Sequence, residues 1–176
     1  MDTSETRRAD LPTGLTVSVS APEERAFFTY RGVNRELDNI LRDPNALERL
    51  GQARHVHFAF APEREPAIAA FEKLRAADCA VTLDTGWHEN WLRDPANLEV
   101  IRRTDVFFPN EREAEAITGA KDAKGMLDFF AQHGANCVAI KLGKMGGGNV
   151  SSGRQLRMLR LRCRRGGHDR RGRRVQ

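Results

Sequence analysis

Asn110 and Glu113 stand three residues apart in the stretch DVFFPNEREAEAITG, residues 105–119. The stretch reads as a strand, a proline that breaks it, and a helix opened by Asn110. An Asn at the N-cap with Glu111 and Glu113 in the first turn fits plain capping, worth about 1 kcal/mol. The same spacing fits a second use. Both side chains would face the crevice at the strand end and organise water and Mg2+ around a phosphate. Spacing alone leaves both uses open.

A second group follows in VAIKLGKMGGG, residues 138–148, where a strand runs into a glycine-rich turn. Glycines let backbone N–H groups approach an anion closely. The GxxxxGK[ST] phosphate loop is absent, so the turn by itself is weak evidence. Asp84, at the strand end in VTLDTGWHENWLRD, fits a substrate or metal contact and equally a turn-forming residue. His55 and His57 in HVH would point to one face of a strand, but no further ligand is placed to complete a metal site. Cys79 and Cys137 each open an apolar run and read as small buried hydrophobes. With Cys163 they make an odd count with no CxxC spacing, which argues against a disulfide framework.

These groups need a frame. LTVSVS (15–20) and RAFFTY (25–30) read as a hairpin joined by APEE, followed by a short helical stretch after residue 31. Beyond residue 55 the pattern gives a strand at 55–61, a helix at 63–77 and a strand at 79–84. A helix at 94–103 follows, opened by Asp94 and Pro95, then a strand at 105–108. Helices at 110–118 and 123–134, each stopped by a glycine, lead to a strand at 137–143. For the helix at 63–77, two apolar faces fit: Ile68, Phe71 and Leu74, or Ala69, Ala70 and Leu74. This β-α-β-α-β-α-α-β order predicts an α/β domain with a largely parallel sheet. Ligands of such sheets sit at the carboxyl ends of the strands. That places the site at Asp84, at Pro109–Asn110 and at Lys141–Gly146.

Composition narrows the class. Hydrophobic residues at 40% and charged residues at 30% suit one globular domain within 176 residues. No apolar run approaches membrane-spanning length, and MDTSETRRADLPTG lacks a signal h-region, so a cytoplasmic location is expected. The net charge of +5 is uneven. Residues 154–176 hold ten arginines and one aspartate, a net of +9, which leaves −4 on residues 1–153. The basic character belongs to one end.

Together these stretches resemble the ribokinase/PfkB carbohydrate-kinase family. DVFFPNEREAEAITG is similar to its strand–PNExE–helix segment, VAIKLGKMGG to its strand–LGxxG nucleotide segment, and PTGLTVSVSAPEERAFFTYRGVN (12–34) to its lid region. VTLDTGW resembles its DxN-type strand end, with Gly86 where Asn is frequent. The resemblance implies a ribokinase-like three-layer Rossmann-type α/β core with a small β lid, incomplete here at both ends. It implies ATP and Mg2+, a sugar or nucleoside substrate, and allows a homodimer through the lid. Carried over, Asn110, Glu113, Lys141, Leu142, Gly143, Lys144 and Gly146 would line the nucleotide site, with Glu113 meeting Mg2+ through water. The expected organisation is a frayed N-terminus at 1–10, a partial kinase domain at 11–150 with the lid hairpin at about 15–31, and an Arg-rich disordered tail at 151–176.

Two family segments have no counterpart: the sugar-binding GGxxxN segment, expected before PTG, and the GAGD segment with its anion hole and catalytic base, expected after a further strand pair. The last ten residues, GHDRRGRRVQ, bear on the second. They can be written GGA CAC GAC CGG CGC GGG CGA CGC GTT CAA. Read from the second base, this becomes D-T-T-G-A-G-D-A-F. The tail is therefore expected to be an out-of-frame reading of the missing segment, with the shift between about Gly146 and Arg160. A chain so altered is expected to be inactive alone. The alternative is a non-catalytic pseudokinase, or a nucleic-acid-associated protein whose arginines contact phosphates without sequence preference.

Overall fold

The computed structural model describes residues 9–20, 25–143, 147–151 and 154–159. Strands β1 (Leu15–Ser20) and β2 (Arg25–Tyr30) form a separate antiparallel two-stranded sheet, with Leu15 opposite Tyr30 and Val17 opposite Phe28. The base of this hairpin is closed by backbone contact, since Val33 N donates to Pro12 O. Gly32 has φ +49°, and a Cβ there would lie 2.2 Å from Pro12 O. Only glycine tolerates both conditions.

A 3-10 turn (Gly32–Glu36) leads to helices α1 (Asp38–Arg42) and α2 (Pro44–Leu50). The main domain continues as β3 (His55–Phe58), α3 (Arg64–Ala76), β4 (Ala80–Leu83), α4 (Glu89–Arg93), α5 (Leu98–Arg102), β5 (Val106–Phe107), α6 (Glu111–Thr118), α7 (Ala123–Gln132) and β6 (Cys137–Lys141). Strands β7 (Gly147–Ser151) and β8 (Arg154–Leu159) extend it. The sheet order is β3-β4-β5-β6-β7-β8, parallel from β3 to β6 and antiparallel beyond. The parallel-dominated α/β sheet matches expectation.

The two faces of the parallel strands differ. Phe58, Val81, Leu83, Phe107, Val138 and Ile140 are buried with Phe71 and Leu74 of α3 and with Leu127 and Phe130 of α7. Phe107 meets Phe130 edge to face at 5.8 Å between ring centres. The alternate residues point the other way. Of these, Thr82 is buried, Val106, Phe108, Cys137 and Ala139 are half-buried, and His55, His57 and Ala80 are exposed. Among the described residues the buried apolar side chains of the helices join these strand residues in one core cluster.

Several boundaries depart from the sequence reading. Helix α3 buries Ala67, Ala70, Phe71 and Leu74, an i, i+3, i+4, i+7 stripe, while Ile68 is only half-buried and Ala69 is exposed. The segment 94–103 is split: Asp94 accepts from Ala96 N and opens a 3-10 turn at Pro95–Asn97 before α5 begins. Strand β3 stops at Phe58, whose carbonyl accepts from Asp84 N at the last link to β4. Strand order also runs past the expected boundary at residue 150, through β8 to Leu159. Residues 160–176, including Cys163, lie outside the described residues, as do residues 1–8. Cys79 is buried as expected, whereas Cys137 is only half-buried because it falls on the less covered face.

Candidate functional site

The ladder continues past the formal strand ends and gathers the site. Phe108 N donates to Leu83 O, Lys141 N donates to Pro109 O, and Asn110 bridges Lys141 in parallel. Asp84, Asn110 and Lys141 therefore sit side by side at the carboxyl edge of β4, β5 and β6. This is where an open parallel sheet binds ligands.

At this edge Lys141 Nζ is 2.5 Å from Asp84 Oδ2. The two residues are 57 positions apart in the chain, and both stay partly open to solvent. The other oxygen, Asp84 Oδ1, accepts from Gly86 N at 3.2 Å. So the turn-forming reading of Asp84 holds, together with a charge partner that sequence reasoning did not assign.

Asn110 and Glu113 form a full capping box. Asn110 Oδ1 accepts from Glu113 N at 2.9 Å, and Asn110 N donates to Glu113 Oε2 at 2.8 Å. The capping use is thus realised. Glu113 is also buried, at 2% exposure, within electrostatic reach of Lys141 and Asp84. Burial pushes its carboxyl above the usual glutamate range; the hydrogen bond from Asn110 N and the Lys141 charge pull back the other way, while Asp84 adds to the rise. A nearby cation offsets the cost of ionising a buried carboxylate, as the Lys141 charge does here. With one oxygen already on a backbone N–H, Glu113 suits contact through water better than direct ligation.

Beyond Lys141, Leu142 turns its side chain into the core, at 7% exposure, and offers only its backbone outward. Gly143 has φ +56° with open space around its Cβ position. Lys144 and Gly146 lie outside the described residues. Next to Asp84, the Thr85 hydroxyl is buried without a hydrogen-bond partner among the described residues.

The histidines serve a structural purpose. His55 Nε2 and His57 Nδ1 lie 2.8 and 2.9 Å from the same Thr82 hydroxyl. That hydroxyl can donate once and accept twice, which satisfies both rings. Among the described residues no group of three or more His, Cys, Asp or Glu could hold a metal. No helix among them is long and apolar enough to cross a membrane.

Comparison with known proteins bears on the family and the fold. Residues 2–163 match the sequence model of the pfkB family carbohydrate kinase. The chain is 28% identical over 149 residues to 2-dehydro-3-deoxygluconokinase of Bacillus subtilis (strain 168), covering 77% of this chain and 45% of that protein. It is 30% identical over 130 residues to cytidine kinase of Thermococcus kodakarensis, covering 73% and 43%. The structure of Arabidopsis thaliana ribokinase complexed with ribose and ATP superposes with a TM-score of 0.69 at 21% identity, covering 86% of this chain and 50% of that one. The chain thus spans about half the length of the relatives it matches. Its fold is ribokinase-like, and the chain belongs to the pfkB family of carbohydrate kinases.

Proposed function

We propose that this chain carries the nucleotide-binding half of an ATP-dependent sugar or nucleoside kinase. The observation that supports this most is the gathering of Asp84, Asn110, Glu113 and Lys141 at one sheet edge. The amino end of α6 and the Lys141 ammonium favour a polyanion there. Gly143, and beyond it Lys144 and Gly146, would let the backbone approach the phosphates. When bound, Mg2+ neutralises phosphate charge, and Glu113 would hold it through water. Transfer also needs a base to accept the hydroxyl proton of the substrate and donors to stabilise the transferring group. The resemblance assigns both to the GAGD segment, which we read in the neighbouring frame of the tail. The isolated chain therefore binds nucleotide weakly and does not turn over.

Calorimetric titration with Mg-ATP and a coupled kinase assay over a sugar and nucleoside panel test this reading. Saturable binding without turnover is expected; turnover at an ordinary kinase rate overturns it. Sequencing the gene tests the frame: DNA that does not read D-T-T-G-A-G-D-A-F one base along removes that explanation.

The hairpin supports a homodimer. Leu15, Val17 and Val19 share a face with Phe28 and Tyr30, and all five are between 48% and 66% exposed. Light scattering of the wild type and of Val17→Lys checks this, with the variant expected to be monomeric. The arginine-rich end favours a second activity, salt-sensitive nucleic-acid binding without sequence preference. Because β8 reaches Leu159, the informative deletion is 160–176. It should abolish filter retention of DNA and leave the far-UV spectrum unchanged.

A further inference from the structure

Past the hairpin, one large apolar side chain stands in water among the described residues. The exposed large hydrophobic residues fall between Leu11 and Tyr30, except Trp87, which is 58% exposed. Trp91, four residues on, is 7% exposed and anchors its Nε1 on Pro62 O. Trp87 has no such anchor among the described residues. A tryptophan left in water forfeits one of the largest burial gains a side chain offers.

Its place is the turn beside the candidate site. Asp84 follows β4 and pairs with Lys141. Gly86, with φ +61° and open space at its Cβ position, then turns the chain, and Trp87 comes next. Asp84 Oδ1 accepts from Gly86 N and ties the turn down. Three residues of chain put Trp87 at most about 11 Å from Asp84. Thr85, inside the same turn, is 5% exposed, and its hydroxyl has no hydrogen-bond partner among the described residues. A buried hydroxyl left unpaired is costly and rare. One turn thus holds an unmet polar group and an unmet apolar ring. Small-molecule sites pair these two features, aromatic surface for contact and a few polar groups for orientation.

Sheet order says which ligand this turn meets. Strand β5 lies between β4 and β6. In the reading proposed above, the nucleotide takes the amino end of α6, after β5, and the glycine turn after β6. The turn after β4 is left on the opposite flank of the phosphates. A transferred phosphoryl group passes between nucleotide and acceptor, so this flank belongs to the acceptor.

We propose that Trp87 is a stacking platform for the ring of the phosphate acceptor and selects ring-bearing acceptors over acyclic ones. This rests on the kinase reading under Proposed function. Two sources share that chemistry: the base of a nucleoside and the apolar C–H face of a closed sugar ring. Stacking of a base on an aromatic side chain contributes on the order of tenfold to a hundredfold in affinity.

The test follows Trp87 emission in the full chain. Trp91 is buried, so the emission that acrylamide quenches in the free protein reports Trp87. The chain is titrated with nucleosides, with methyl glycosides, whose rings cannot open, and with alditols of matching hydroxyl count. A saturable change is expected from at least one ring-bearing class and none from the alditols, and the class that responds separates the two sources. By calorimetry, Trp87→Ala should weaken that ligand about tenfold or more, and Trp87→Phe should restore most of the loss. Mg-ATP binding and the far-UV spectrum should be the same in both variants as in the wild type. The proposal is overturned if no ring-bearing ligand perturbs Trp87, if alditols bind as well as rings, or if Trp87→Ala leaves affinity unchanged. It is also overturned if Trp87→Ala weakens Mg-ATP instead, since the stacked ring would then be adenine. Ring binding that depends on Trp87 in a chain that binds no Mg-ATP keeps the platform and sinks the kinase reading.

Discussion

Phe107 and Phe108 are neighbours in the chain and opposites in the fold. Phe107 is fully buried against Phe130 of α7, while Phe108 is half-buried on the other side of the sheet, near His57. The same contrast runs along β6, where Val138 and Ile140 are buried and Cys137 and Ala139 are not. Strands of this kind are apolar on both sides because both sides are meant to be covered. The difference teaches that alternate residues of one strand can carry very different shares of the core. Stability therefore rests mainly on one set of those residues.

The sharpest way to break that comparison is to truncate each phenylalanine. Phe107→Ala should cost about 3–5 kcal/mol in denaturant unfolding, from lost burial plus a cavity. Phe108→Ala should cost about 1 kcal/mol or less, because its site is already half open to water. Equal losses would mean that both faces are packed. A smaller effect is expected where the sheet meets its site: Asn110→Ala removes one arm of the capping box and should cost about 1 kcal/mol, or roughly 2–4 °C in Tm.

The smallest effect concerns Glu113. Its folded carboxyl titrates above the ordinary glutamate value, chiefly through burial. The folded state thus holds its proton more tightly than the unfolded state. Stability should fall as pH rises from the ordinary glutamate range through the raised folded value. Glu113→Gln keeps an acceptor for Asn110 N and removes the charge, so its Tm profile between pH 4 and 8 should be flatter than wild type. A uniform loss at every pH would show that the carboxylate acts only as a cap.

Much of this was legible locally. The capping box could be read from Asn110 and Glu113 because its partners are three residues apart, and Gly119 ends α6 in a left-handed conformation as its position suggested. Helix α4 was missed. It is five residues long, capped by His88 Nδ1 rather than a customary Asn, Asp, Ser or Thr, and anchored by Trp91 Nε1 donating to Pro62 O at 2.7 Å, a tertiary contact. The Asp84–Lys141 pair was also hidden, since only strand order brings residues so distant together. The run CVAIK reads as buried throughout, and no periodicity says which of its faces lacks a cover.

The central claim is that the sheet edge at Asp84, Asn110, Glu113 and Lys141 receives a nucleotide phosphate. Calorimetric titration of Mg-ATP into the wild-type chain and into Lys141→Ala tests it most directly. The account predicts saturable binding in the wild type and a loss of at least about tenfold in the variant, or about 1.4 kcal/mol. Identical binding curves for the two proteins would contradict it.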